Sequence, residues 1–130
     1  MNKRYLAKII ATDKEGLQMI SACCSGAKVK IGDIKFLFSN KIFLLSLTRN
    51  NVEDKNDREI NSICKFDYVD KVKSKNIDQT KQDLVLELAG IDYFRNKDNY
   101  EINLIFDNNA YISLRTETIE VRLEDQNEIK

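Results

Sequence analysis

Four lysines, three cysteines and a scatter of carboxylates are the side chains of this sequence whose type and spacing could carry chemistry. Lys65, Lys71, Lys73 and Lys75 all fall at odd positions, so one extended strand would project them from one face. Such a row can meet a phosphate, a lipid headgroup or an acidic protein surface. It is also what a solvated strand face looks like where lysine discourages edge pairing. That face carries no interleaved aromatic residue on which a single-stranded nucleic acid could stack.

Cys23, Cys24 and Cys64 lack zinc-ligand spacing and a fourth sulfur or imidazole. Two adjacent cysteines and one distant one make no disulfide framework, so they read as buried thiols. Cys64 is expected on an apolar face and therefore unreactive. The sequence has no histidine, which removes the commonest general base and metal ligand, and with it every serine–histidine or cysteine–histidine nucleophile. Asp54, Asn56 and Arg58 fail the calcium-loop pattern, as do Asp107, Asn109 and Tyr111. Four unclustered glycines make no phosphate-binding loop. The reading is therefore no catalytic residue, no metal ligand and no cofactor. Carboxylate chemistry stays open only if Asp67, Asp70 or Asp92 converge.

Positioning these groups falls mainly to residues 60–94, which read as a long hairpin-like pair. In the first arm, residues 60–74, Cys64, Phe66, Tyr68 and Val72 share the apolar face at period two, opposite the lysines. Asp70 breaks that pattern and predicts a bulge. In the second arm, residues 83–94, the apolar parity shifts after Gly90, which predicts another bulge or a sharp bend. Residues 75–82 form the polar loop between the arms.

Upstream, residues 5–11 read as a strand. A Thr12–Glu15 capping box opens a helix over residues 14–25, with Leu17, Ile20 and Cys24 at helical spacing and Gly26 at its end. Residues 27–31 and then Ile34, Phe36 and Phe38 are strand pieces, and residues 42–49 are apolar enough for a central strand covered on both faces. Residues 50–59 are a solvated loop that should tolerate shortening. Residues 100–106 and 110–114 alternate on either side of Asp107-Asn108-Asn109, a turn of residues that accept positive φ. The C-terminal stretch reads two ways. Ile119, Val121 and Leu123 alternate like a strand, while a Thr116 cap with Glu117 and Glu120 in the first turn suits a helix. The cap outweighs the period, and a helix is expected.

A chain of 130 residues fits one domain, residues 1–130. Twenty-one basic and 21 acidic residues balance, which argues against a dedicated nucleic-acid binder. No run approaches the ~20 apolar residues of a membrane span, and the N-terminal stretch lacks the apolar core of a signal peptide. A cytoplasmic protein is expected.

Three stretches carry a family resemblance: AKVKIGDI at 27–34, FDYVDKVKSKNID at 66–78 and ISLRTETIEVRLED at 112–125. Together they resemble the bacterial family known as domain of unknown function 2948, in order and along nearly the whole chain. The family pattern has glycine near Asn76 and at the hairpin tip occupied here by Asn108-Asn109, and asparagine can serve both turns. The resemblance implies a small cytoplasmic bacterial protein with a helical C-terminus, and brings no activity or cofactor.

The expected architecture is α+β: a strongly bent antiparallel sheet of about six to seven strands, with one N-terminal and one C-terminal helix. Its order suggests a pleckstrin-homology-like roll closed by the second helix. Two functions fit. One is a non-enzymatic module that binds a protein partner or an anionic group. The other is a small enzyme or small-molecule binder using carboxylates or a thiol in the mouth of the curved sheet.

Overall fold

The computed structural model describes residues 8–50 and 59–128. The chain runs through β1 (Lys8–Ala11), α1 (Lys14–Cys24), β2 (Ala27–Lys30), β3 (Ile34–Leu37), β4 (Ile42–Asn50), β5 (Glu59–Phe66), β6 (Val69–Lys75), β7 (Val85–Asn96), β8 (Asn99–Phe106), β9 (Tyr111–Thr116) and β10 (Val121–Glu128). Short 3-10 turns at Ile31–Asp33 and Phe38–Asn40 flank β3. The expected loop at 50–59 lies almost wholly outside the described residues, as does the start of the first strand.

Helix α1 begins where Asp13 turns its carboxylate onto the first turn. The Gly16 amide donates to Asp13 Oδ1 at 2.8 Å. The expected Thr12–Glu15 box is not formed, because Asp13 offers a charged oxygen to the positive end of the helix. Leu17, Ile20 and Cys24 are buried as the spacing requires. Gly26 follows the helix with φ +85°, a left-handed conformation that costs glycine little.

The helix sits close on β1. A Cβ added at Gly16 would stand 2.9 Å from Ala11 Cα. Gly16→Ala should therefore destabilise the protein by about 1–3 kcal/mol, as overpacking does, although alanine is worth about 1 kcal/mol more than glycine in a free helix. A urea titration checks this. A midpoint equal to or above wild type would mean that β1 yields to the helix.

The strands form one antiparallel sheet in the order β1-β10-β5-β4-β2-β7-β8-β9-β6. β3 pairs with β4 off this path, on the side that β2 also uses. The sheet is not closed. It is strongly bent, because β5 and β6 are separated by only two residues yet lie at the third and last places in the order. Tyr68, with φ +61°, makes the corner between them. Inner-face side chains from all parts of the sheet, with Leu17, Ile20 and Cys24 of the helix, make one apolar cluster that includes Phe43, Phe66, Leu88, Ile102, Leu104, Leu114 and Leu123. Phe43 and Phe66 lie opposite each other across β4 and β5, their ring centroids 6.0 Å apart.

Four expectations are corrected. The strands number ten among the described residues, not six to seven, because the first arm splits at the corner and short pieces such as β2 and β3 each join the sheet. The arms of residues 60–94 do not pair: β5 lies between β4 and β10, β6 beside β9, and β7 between β2 and β8. The C-terminal stretch is strand β10 and not a helix. Its alternation buries Val121 and Leu123, and it pairs on both sides, gaining two ladders where a helix would gain one weak cap. With that helix gone, the roll it would have closed is not formed.

Both predicted bulges are present. The β6–β9 register shifts between Val69 and Lys71, at Asp70. The β7–β8 register shifts between Leu88 and Gly90. Helix α1 serves the second bulge directly: the Ile91 amide donates to Ser21 Oγ at 2.9 Å and the Ser25 hydroxyl donates to the Ala89 carbonyl at 3.3 Å. Strand β4 is central, but only its Phe43, Leu45, Leu47 and Arg49 side is buried; Ile42, Leu44, Ser46 and Thr48 are half-buried.

Candidate functional site

Three of the four lysines share a face. On β6, Lys71, Lys73 and Lys75 alternate outward and are exposed. Across the ladder from them stand Arg115, Ser113 and Tyr111 of β9. Beyond these stand Glu101, Asn103 and Ile105 of β8. The middle row is wired: the Ser113 hydroxyl donates to Asn103 Oδ1 at 2.5 Å, and Asn103 Nδ2 donates to Asp92 Oδ1 at 3.1 Å. The row therefore runs from Lys73 through Ser113 and Asn103 to a carboxylate, Asp92, and its hydrogen bonds hold these side chains in place.

A groove of about 440 Å³ opens on this face, where Lys71, Lys73, Lys97 and Arg115 gather beside Tyr100, Glu101 and Asp98. Lys97 reaches it from the β7–β8 turn, where it takes φ +57° and its carbonyl accepts from Arg95 Nε at 3.1 Å. Among the described residues, none of these four cations, nor Lys75, is in an ion pair within 4.0 Å. Lys75 borders a second, shallower depression with Lys73, Asn103 and Tyr111.

Lys65 does not belong to the row. It lies on β5, before the corner, between Leu44 and Arg122, and its ammonium is 3.7 Å from Asp67. The period-two spacing put it on the same face only as long as the arm was one straight strand.

The carboxylates do not assemble. Asp67 is beside Lys65, Asp70 is 3.4 Å from Lys41, and Asp92 accepts from Asn103. Among the described residues no three cysteine, aspartate or glutamate side chains are grouped as metal ligands.

The buried polar cluster lies on the other face and was missed by sequence reasoning. Arg49 continues the inward parity of Phe43, Leu45 and Leu47, and Asp125 continues that of Val121 and Leu123. Ser62 stands opposite both Leu47 and Asp125. Arg49 grips Asp125 with two hydrogen bonds, Nε to Oδ1 at 3.0 Å and Nη2 to Oδ2 at 2.7 Å, and Ser62 donates to Oδ1 at 2.5 Å. Side-chain exposures are 5% and 0% for the ion pair. Burial pulls the Arg49 pKa down, but the hydrogen bond and charge of Asp125, aided by Cys23 and Cys24, carry it above the ordinary arginine value. The parity of Arg49 and Asp125 was the available signal, hidden for Asp125 by the helical reading.

Cys64 is 1% exposed, as expected. Its hydrogen bond with buried Cys24, then burial, then the charge of Cys24, push the thiol well above its ordinary pKa. It is a poor nucleophile for that reason.

A third feature lies between β3 and β6: a groove of about 240 Å³ walled by Ile34, Phe36, Val72, Ile77 and Ile112, with Ser74, Gln79 and Gln82 as polar groups. Among the described residues that line this mouth of the bent sheet there is neither a carboxylate nor a thiol.

Among the described residues no helix is long and apolar enough to cross a membrane. A family model described as "Protein of unknown function (DUF2948)" matches residues 7–130. No curated protein and no solved structure matches the chain significantly.

Proposed function

The chain belongs to the family of proteins of unknown function DUF2948, and within it we propose that this protein is a single-domain, non-enzymatic module that binds an anionic partner on the outer face of β6, β9 and β8. One observation carries the reading: Lys71, Lys73, Lys97 and Arg115 gather around one groove without an ion pair among the described residues. Unpaired cations converging from three parts of the chain raise the local potential, although the net charge is zero. Ser113, held in place by its hydrogen bond to Asn103, lines the same groove. Partner binding here needs no general base, no metal and no nucleophile. The cytoplasm is the compartment we assign, where thiols such as Cys24 and Cys64 persist reduced.

The test is the triple variant Lys71→Gln, Lys73→Gln, Lys97→Gln, assayed at low salt against polyglutamate and anionic lipid vesicles. Each basic residue near an anionic surface is worth about 1 kcal/mol, so affinity should fall about 100-fold. Affinity of the unmodified protein should also drop steeply with salt. The melting temperature should stay nearly constant, since exposed charges contribute little to stability. If wild type and variant bind both probes alike, this face is only solvated.

A further inference from the structure

We propose that the gap between β3 and β6 accepts an extended segment of a partner protein as an added strand, and that this segment alternates apolar and acidic residues. The proposal rests on the reading of β6's lysines as a binding face and names the partner's chemistry.

The gap has two edges. Among the described residues β3 pairs only with β4, and β6 only with β9. Each therefore turns one side of its backbone toward the groove without a ladder, and an edge of that kind is a template for another strand. The frame is fixed at both ends. The Val69 amide donates to the Lys41 carbonyl at 2.8 Å where β6 begins. At the far end Gly32 donates to the Gln82 carbonyl at 2.9 Å, which holds the loop after β6 against the 3-10 turn before β3. A Cβ on Gly32 would stand 3.1 Å from that carbonyl oxygen, so the loop rests directly on glycine backbone.

Side-chain parity selects the occupant. Ile34 and Phe36 of β3 and Val72 of β6 face into the groove, while Lys35 and the pair Lys71 and Lys73 point outward on either side. An added strand would set every second residue on the apolar floor and the others between Lys35 on one side and Lys71 and Lys73 on the other. Acidic residues suit those outer positions. A second copy of this chain does not, because β6 against β6 would set lysine against lysine, and repulsion of the wrong partner is how such edges gain specificity. Phe38, 72% exposed and stacked edge-on with Phe36 at 5.8 Å, extends the apolar surface at the hairpin end of the gap.

The experiment uses a capped nine-residue peptide of alternating valine and glutamate, a version N-methylated at alternate amides, and polyglutamate. Strand addition predicts that the first binds, that N-methylation weakens it at least tenfold, and that backbone amide shifts concentrate on β3 and β6. It also predicts that the variant Lys35→Glu, Lys73→Glu loses this peptide and gains one of alternating valine and lysine. Both substituted residues are exposed, so folding is not at stake. Equal binding of the N-methylated peptide and polyglutamate would overturn strand addition and leave the anionic face standing. Dimerisation through the gap, or no binding of the alternating peptide up to about 1 mM, would overturn the proposal as well. Failure of polyglutamate and vesicles besides would remove the face with it.

Discussion

Replacing Asp125 by alanine is expected to destabilise the protein by about 3–5 kcal/mol, the range for removing one partner of a buried ion pair. The cause is what remains. Arg49 is 5% exposed and both of its hydrogen bonds to Asp125 would be lost. Its charge would stay in a poorly solvating place where, among the described residues, the Ser62 hydroxyl 3.3 Å from Nε is the remaining side-chain hydrogen-bond partner. The partner experiment is the double variant Arg49→Met, Asp125→Leu. Swapping a whole buried pair for apolar groups of similar size is often neutral or stabilising, so the double variant should regain most of the loss. Urea unfolding of wild type, both single variants and the double variant measures the coupling. A loss under about 1 kcal/mol for Asp125→Ala, the range of a surface pair, would mean that the guanidinium reaches water.

Ending the chain after Glu120 should abolish cooperative unfolding altogether. Strand β10 is the partner of both β1 and β5, so its loss opens two ladders at once. It also removes Val121 and Leu123, both fully buried, worth about 1.5–3 kcal/mol each. The stranded Arg49 adds the ~3–5 kcal/mol already described. The sum is comparable with the ~5–15 kcal/mol of a whole small protein. A truncated chain that still gives a sharp thermal transition and a dispersed amide spectrum would show that the rest of the sheet stands without β10.

Elements defined by neighbours in sequence were legible. The apolar spacing of Leu17, Ile20 and Cys24 gave helix α1 to within a residue, and Asn108 and Asn109 both take the left-handed φ their turn called for. The parity breaks at Asp70 and Gly90 announced bulges because a phase slip is visible in any strand. Choices among distant partners were not legible. Nothing in residues 60–94 says that β5 prefers β4 and β10 to β7, since the same alternation suits any partner with a buried face. The end of the chain failed for a related reason: its cap residues are local signals, while the two strands that flank β10 are not. Lys65 was misassigned with them, because a corner at Tyr68 leaves no mark on a period of two. The lysines after the corner were read on one face, and there they are.

The place of β10 also sets the order of events in time. Its register joins Lys8 to Glu124 and Val121 to Phe66, so the first described strand can pair only after residues more than a hundred positions later, up to Glu124, have been synthesised. During translation β1 has no lasting ladder partner, and one side of β5 waits open. Pairings of such sequence separation require long loops to close before any contact rewards them, which slows folding and leaves sheet edges exposed meanwhile. The local β7–β8–β9 meander carries no such delay and is suited to nucleate the sheet. A newly made molecule therefore passes through a stage in which half of its sheet is built and the other half is still recruiting its last strand.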